Sequence, residues 1–306
     1  MLRKIRNVPN DIRYYFNIPT KPNWLLLNVT WRCNSRCKTC SIWKTKIDKN
    51  SEMSVSDYQK LFSDHFLSKV QVLSLSGGEP TLRSDLVEIA EAGIETLPNL
   101  KRVTLNTNCI LANHVKKFLD AVTRRMFVSL IFSIDGVGDA HDEIRGVQGN
   151  WASLLQVVNY AQKLNNIHVA GSVVVSPWNI NHIDEVFHWL RKHKIYISWS
   201  YMRNDKFFRH DKTYPRIHDP RIKHIQNPCF ALFNRAHIDP YGNIFGCVVK
   251  CDEIGNIRES SFSEVWESGE AWKWRKQHRH CHNCREWSCE CNFNLAWKKQ
   301  SFFWNG

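Results

Sequence analysis

Cys33, Cys37 and Cys40 fall within eight residues in "CNSRCKTC", close behind the apolar run "WLLLNV" at 24–29. Thiolates this close, on a loop leaving a strand, can converge on one metal centre. Three of them neither complete a tetrahedral zinc site nor bind all four irons of a cubane cluster, so one coordination position stays open. A structural zinc would need a fourth ligand nearby, and the nearest histidine is His65, beyond a predicted helix. A second thiol set follows late in the chain, where Cys229 and Cys247 flank a turn signal and Cys281 and Cys284 form a C-x2-C pair. Four thiolates would satisfy either a zinc ion or four irons, and spacing alone does not separate the two. Cys289 and Cys291 complete no further pattern, and Cys109 and Cys251 read first as inert thiols.

These cysteines need a scaffold, and 306 residues at 43% hydrophobic suffice for one large core plus a smaller module. No apolar stretch approaches the roughly 20 residues that span a bilayer. The basic start "MLRKIRNVPNDIRYYFN" lacks the apolar region of a signal peptide. A cytoplasmic protein is expected, in which eleven cysteines argue for metal sites or reactive thiols over disulfides. The net charge of +13 suggests an anionic partner, but Lys and Arg are dispersed, so nucleic acid is not favoured and no membrane is implied.

Apolar runs of strand length occur at 24–30, 70–77, 101–108, 127–135, 167–175 and 195–202. Between them lie helical patterns, one opening at Ser54 with Asp57 as a capping box and burying Tyr58, Leu61, Phe62 and Phe66. Others open near Ser84, Asn113, Asn150 and Asn181. Near-continuously apolar strands separated by helices read as parallel β with right-handed crossovers, six βα-type units over 21–205. Residues 1–20 form an N-terminal segment, and the polar stretch 206–228, with Pro215, Pro220 and Pro228, reads as a linker. In the remaining module, 229–306, "AHIDPYGNIFGCVV" predicts a hairpin turning at Pro240-Tyr241-Gly242-Asn243, followed by one or two short helices.

A C-x3-C-x2-C motif after the first strand of a βα barrel resembles the radical S-adenosylmethionine (SAM) superfamily. That resemblance implies an α/β fold built on a partial (β/α)6 TIM-like barrel. It also implies a [4Fe-4S] cluster on Cys33, Cys37 and Cys40 whose fourth iron is chelated by SAM. Thr39 stands where the family often has an aromatic residue. "SLSGGEP" ending the second strand is similar to the family's Gly-Gly-Glu-Pro motif, which implies that Gly77, Gly78 and Glu79 receive the methionyl ammonium; a plain Gly-Gly turn would explain the same glycines. At the third strand end, Thr107 and Asn108 match a common Thr-Asn-Gly, and Cys109 departs from it. By the same resemblance Ser133 and Asp135 face the ribose or carboxylate of SAM, and Arg145 pairs with the carboxylate. Ser176 and Asn179 reach the cofactor or are turn formers.

The C-terminal cysteines resemble a small α+β SPASM/twitch extension, which implies a second, auxiliary [4Fe-4S] cluster on Cys229, Cys247, Cys281 and Cys284. The implied chemistry is reductive cleavage of SAM to a 5′-deoxyadenosyl radical, with flavodoxin or ferredoxin as electron donor. Hydrogen abstraction from a small polar substrate (sugar or aminocyclitol) or a peptide would follow, giving oxidation or epimerisation. Cys251 is the candidate hydrogen donor of an epimerase, and Trp178 and Trp199 are candidate pocket residues. With about 20 residues before the first strand, no leader-peptide-binding domain is expected. The alternatives are radical modification of RNA or peptide, and a non-catalytic iron-sulfur sensor.

Overall fold

The computed structural model describes residues 20–202, 231–246 and 252–278. Six parallel strands, β1 (Trp24–Thr30), β2 (Val72–Gly77), β3 (Arg102–Thr107), β4 (Phe127–Ser133), β5 (Ile167–Val175) and β6 (Tyr196–Tyr201), lie side by side in chain order. All six were expected, with ends shifted by a residue or two. The helices between them are α1 (Val55–Phe62), α2 (Leu86–Thr96), α3 (Ala112–Val122), α4 (Asp139–Arg145), α5 (Asn150–Ala161) and α6 (Ile183–Lys192). The sheet is open: β6 ends one side of the described order, and a short strand at Glu253–Asn256 the other.

One face of each strand is aliphatic and meets the helices. Leu25, Leu27, Leu73, Leu75, Val103, Leu105, Val128 and Leu130 share one fully buried core with Ile89, Val115, Phe118 and Leu154. Closest approaches fall at glycines: a Cβ on Gly93 of α2 would stand 2.5 Å from Leu73 Cδ2, and one on Gly171 of β5 would stand 2.6 Å from Leu190 Cδ2. Helix α1 starts as the sequence predicts, with Ser54 Oγ accepting from Asp57 N and Asp57 Oδ2 accepting from Ser54 N at 2.8 Å. Phe66 lies beyond it in a separate 3-10 turn. The caps expected at Ser84, Asn113 and Asn181 are instead Asp85, Leu111 and His182, none making a side-chain cap bond. At the first of these, the Asp85 carboxylate is drawn away to Arg83 at 2.7 Å.

The expected hairpin forms as β7 (Arg235–Ile238) and β8 (Asn243–Phe245), with Gly242 at φ +90° in its turn. It is not detached from the barrel. β7 pairs parallel with β1, Trp24 opposite Arg235 and Leu27 opposite Ile238, and β9 (Glu253–Asn256) continues antiparallel on β8. Two short helices follow, α7 (Phe262–Glu267) and α8 (Gly269–His278). Ser263 N donates to Asp64 Oδ2 at 2.9 Å and Trp266 Nε1 to the Thr20 carbonyl at 3.2 Å, tying this part to the barrel. No helix among the described residues is long and apolar enough to cross a membrane.

Arg83 locks the sheet to the segment before α1. Its guanidinium donates to the carbonyls of Val29 at 3.0 Å and Met53 at 2.9 Å, besides the Asp85 pair. Arg83→Met would leave two buried carbonyls and a carboxylate unpaired. Urea denaturation should show a loss of about 3 kcal/mol; a loss below about 1 kcal/mol would mean that water replaces these bonds.

Candidate functional site

The loop after β1 carries Cys33, Cys37 and Cys40, and its backbone is held from two sides. On one side Gly78 N donates to Thr30 O and Glu79 N to Arg32 O, both at 2.7 Å. On the other, Arg36 N donates to Arg145 O at 3.0 Å and Lys38 N to Ile144 O at 2.8 Å, while Ser35 Oγ donates to Arg145 O at 3.0 Å. Both contacts need glycine. A Cβ on Gly78 would lie 2.2 Å from Arg32 O, and one on Gly146, at φ +67°, would lie 2.6 Å from Arg36 O. The glycines of "SLSGGEP" therefore let two pieces of backbone approach each other.

Around the sulfurs, Ser35 N donates to Cys33 Sγ and Ile42 N to Cys40 Sγ, both at 3.5 Å, and Ser35 Oγ lies 2.9 Å from Cys37 Sγ. Trp43 Nε1 donates to Cys40 O at 2.8 Å, with the Arg36 guanidinium over its ring at 5.4 Å. At the loop's start, Glu52 accepts from Thr30 Oγ1 and from Arg32 at 3.2 Å. Burial pushes the Cys33 thiol up, and the Cys40 thiol up to about 12, against the pull of these amides and of Arg145. Thiols so placed stay protonated unless a metal takes the proton's place.

The ends of β2 and β3 meet at Glu79, which is fully buried. Its Oε1 accepts from Thr81 N at 3.2 Å, Thr81 Oγ1 at 2.6 Å and Thr107 Oγ1 at 2.8 Å, and Oε2 accepts from Asn108 N at 2.7 Å. Burial raises its pKa despite these four donors. The carboxylate expected to face the ammonium is thus already committed to the scaffold. Asn108 passes the order on: its Nδ2 donates to Asn34 Oδ1 at 2.8 Å and lies 4.0 Å from Cys33 Sγ. Cys109, buried next to it, has φ +61°, a left-handed backbone that suits the glycine common in the resembling motif.

Beyond β4, Asp135 and Arg145 form a buried pair at 3.1 Å. Burial works against the Arg145 charge, but Cys37 and Asp135 outweigh it and hold its pKa above the ordinary arginine value. Its Nε is buried with no hydrogen-bond partner, a donor left over beside the thiols. Val174 N donates to Asp135 Oδ1 at 3.1 Å. Ser133 is half-buried at the strand end. Ser176 is fully buried, its N and Oγ both donating to Asn179 Oδ1, and Asn179 Nδ2 donates to Asp135 O at 3.0 Å. Of the two readings for Ser176 and Asn179, the structure favours turn formers.

Sequence reasoning missed His141. It sits fully buried in α4, with Nδ1 accepting from Asp135 N at 3.4 Å, so the proton is on Nε2, 3.2 Å from Asn150 Oδ1. Asn150 Nδ2 in turn donates to Asn108 O at 2.9 Å. A chain of polar groups therefore joins the ends of β4 and β3 beneath the site. Its only sequence signal was a histidine four residues before Arg145.

The residues present fit a cluster bound through three sulfurs. They offer amide donors to two sulfurs, a spare guanidinium donor, and a loop fixed by backbone on both sides. No set of three such side chains among the described residues closes on a single ion, and a cubane asks for none, since each sulfur binds a different iron. Cys229, Cys247, Cys251, Cys281, Cys284, Cys289, Cys291 and the 206–228 stretch lie outside the described residues.

Burial lowers the His141 pKa to about 4, with Arg145 adding to the effect. In the unfolded chain the ring titrates near about 6.5. The unfolded state therefore binds more protons between these values, and stability falls as pH falls. From pH 7 to pH 5 the wild type should lose about 2 kcal/mol more than His141→Gln. Equal losses in paired urea titrations would show that the ring is not held neutral.

The family model of the radical SAM superfamily matches residues 27–190, and that of an iron-sulfur cluster-binding domain, SPASM, matches 229–290. Fe-coproporphyrin III synthase of Methanosarcina barkeri is 24% identical over 91% of this chain and 84% of its own length. Other curated relatives are matched over shorter shares, such as 39% of a pre-heme d1 synthase and 51% of a GTP 3′,8-cyclase. Among solved structures, Streptococcus suis SuiB bound to precursor peptide SuiA aligns with a TM-score of 0.66 at 16% identity, covering 86% of this chain and 69% of that one. BtrN in complex with AdoMet and 2-DOIA aligns with 0.53 at 16% identity, covering 88% and 92%. These likenesses share the open parallel sheet described above. The chain belongs to the radical SAM superfamily, with a C-terminal SPASM domain, and its cofactors are SAM, a SAM-binding [4Fe-4S] cluster and auxiliary iron-sulfur.

Proposed function

We propose that the chain abstracts hydrogen from a C–H bond of a small polar or peptide substrate and so oxidises or epimerises it. The observation that carries this reading is the doubly pinned cysteine loop beside the Asp135–Arg145 pair. Cys33, Cys37 and Cys40 would hold the cluster, and the bound group supplies one electron to the sulfonium of SAM and hence the 5′-deoxyadenosyl radical. Arg145 offers its spare Nε–H to the SAM carboxylate, and Asp135 keeps that guanidinium in place. Gly78 N and Glu79 N are spent on the loop, and an ammonium, which only donates, would use carbonyl oxygen of the Gly77-Gly78-Glu79 turn. Thr107 and Asn108 hold the turn through Glu79, and Ser133, half-buried at the end of β4, is proposed as a partner for the ribose. The scaffold's own task is to fix the target bond beside these groups and keep water out. Cys229, Cys247, Cys281 and Cys284 are proposed as ligands of auxiliary iron-sulfur, and a flavodoxin or ferredoxin as donor.

Two measurements test this reading. Anaerobically reconstituted protein should carry about eight irons, and replacing Cys33, Cys37 and Cys40 together by Ala should leave about four. With a strong reductant the intact protein should form 5′-deoxyadenosine slowly without substrate, and Arg145→Met should weaken SAM binding by about ten-fold. No 5′-deoxyadenosine, or unchanged SAM affinity, would overturn the assignment.

The outcome for the substrate is tested separately. An epimerase returns a hydrogen atom from the opposite face, so solvent deuterium should enter the product, and Cys251→Ala should still form 5′-deoxyadenosine without inversion. A two-electron oxidised product free of solvent deuterium, formed equally by Cys251→Ala, establishes oxidation instead.

A further inference from the structure

The sheet has a second face, turned away from the helices, and its composition is unlike that of a filled barrel. A closed TIM barrel packs its interior with branched aliphatic side chains. Here the strands point hydroxyls and amides that way, interleaved with Leu26 of β1, Ile131 of β4 and Ala170 and Val174 of β5. Toward the cysteine-loop end, Ser133 of β4 stands in register with Ser172 of β5, and Ser172 with Ser198 of β6. One level deeper, Asn28 of β1 is opposite Ser76 of β2, with Asn106 of β3 following. Adjacent strands lie about 4.8 Å apart, so Ser133, Ser172 and Ser198 form a rail of evenly spaced hydroxyls.

The amides are partly spent on the fold, Asn28 Nδ2 lying 2.6 Å from His237 Nε2 and Asn106 Nδ2 donating to Leu75 O at 3.4 Å, but two features show that the hydroxyls are not. Ser76, Ser133 and Ser172 are half-buried, and their hydroxyls meet no hydrogen-bond partner among the described residues. Deeper still, Ser129 is only 4% exposed, yet its Oγ is buried without a partner. A hydroxyl shut away from both protein and water is costly, and a ligand or trapped water removes the cost. The face is also nearly uncharged among its described strand residues. Arg102 and Arg235 lie in the row farthest from the cysteines, over the rings of Phe127 at 5.4 Å and Trp24 at 4.6 Å. At the near end, Arg145 is already held by Asp135.

Resting on the reading of the site given above, we propose that this face is the substrate chamber and that it selects a neutral, polyhydroxylated ring, a sugar or cyclitol. Ser172, Ser198 and Ser76 are its hydrogen-bonding residues, and Ser133 marks the junction with SAM. Hydroxyl and amide groups can each donate and accept, which suits a ligand whose polar groups do the same. A carboxylated macrocycle would ask for free cations along the same face, and an apolar peptide side chain would leave the rail unpaired.

The test uses the full chain, reconstituted anaerobically with SAM present, and reads binding and turnover separately. Saturation-transfer NMR should show contact with at least one of glucose, N-acetylglucosamine and myo-inositol. The same compound, perdeuterated, should pass deuterium to 5′-deoxyadenosine. Ser172→Val and Ser172→Thr have nearly the same shape and differ in the hydroxyl, so Val should weaken the NMR signal about five-fold while Thr retains it. Absence of contact with all three polyols, equal effects of Val and Thr, or preferential binding of coproporphyrin III or a serine-containing peptide would each overturn the proposal. Polyol contact with no SAM cleavage would leave the chamber's chemistry standing and sink the reaction instead, so the two failures are distinguishable.

Discussion

Everything at the site depends on how the cysteine loop is gripped. Three thiols on a free loop would sample many separations, and a cluster would have to organise them at the cost of chain entropy. Here the loop's backbone is bonded to the Gly77-Gly78-Glu79 turn on one side and to the C-terminal carbonyls of α4 on the other. Each grip requires a backbone-to-backbone approach that a side chain would block, which is why Gly78 and Gly146 stand where they do. The turn is itself braced by Glu79, and α4 is tied to β3 through His141 and Asn150. The geometry of the thiols is thus set by the ends of β2, β3 and β4, the parts of the barrel held most firmly by the aliphatic core.

The electrostatics follow from that burial. Packing the loop into the scaffold removes water from Cys33 and Cys40 and disfavours their free thiolates, so they ionise only in exchange for metal. Arg145 supplies the compensating charge, and Asp135 keeps it from being displaced. The neighbouring His141 stays neutral chiefly because it is buried, with the Arg145 charge adding to the effect. The result is a site in which a buried, paired arginine stands beside a half-buried polar face, the setting proposed above for a zwitterionic cofactor and an uncharged substrate.

Much of this was legible in the sequence because it is local. The three cysteines, the apolar runs of the six parallel strands and the capping box at Ser54 are each written within a few residues. What was not legible is long-range. Glu79 looked like a ligand contact and is a buried brace, because its donors Thr107 and Asn108 come from another strand. The helix α4 was missed since its seven residues begin and end at glycines and show little period. The hairpin read as a separate module, and only pairing with β1, more than 200 residues away in sequence, shows it extending the barrel sheet. The serine rail was invisible for the same reason, since register between strands brings its members together.

The central claim is that this gripped loop holds a cluster with one position open to SAM. Electron paramagnetic resonance of the reduced, reconstituted full chain, recorded before and after addition of SAM, tests it most directly. The account predicts two reduced-cluster signals, one of which changes shape and g-values when SAM binds while the other does not. Spectra identical with and without saturating SAM would contradict it.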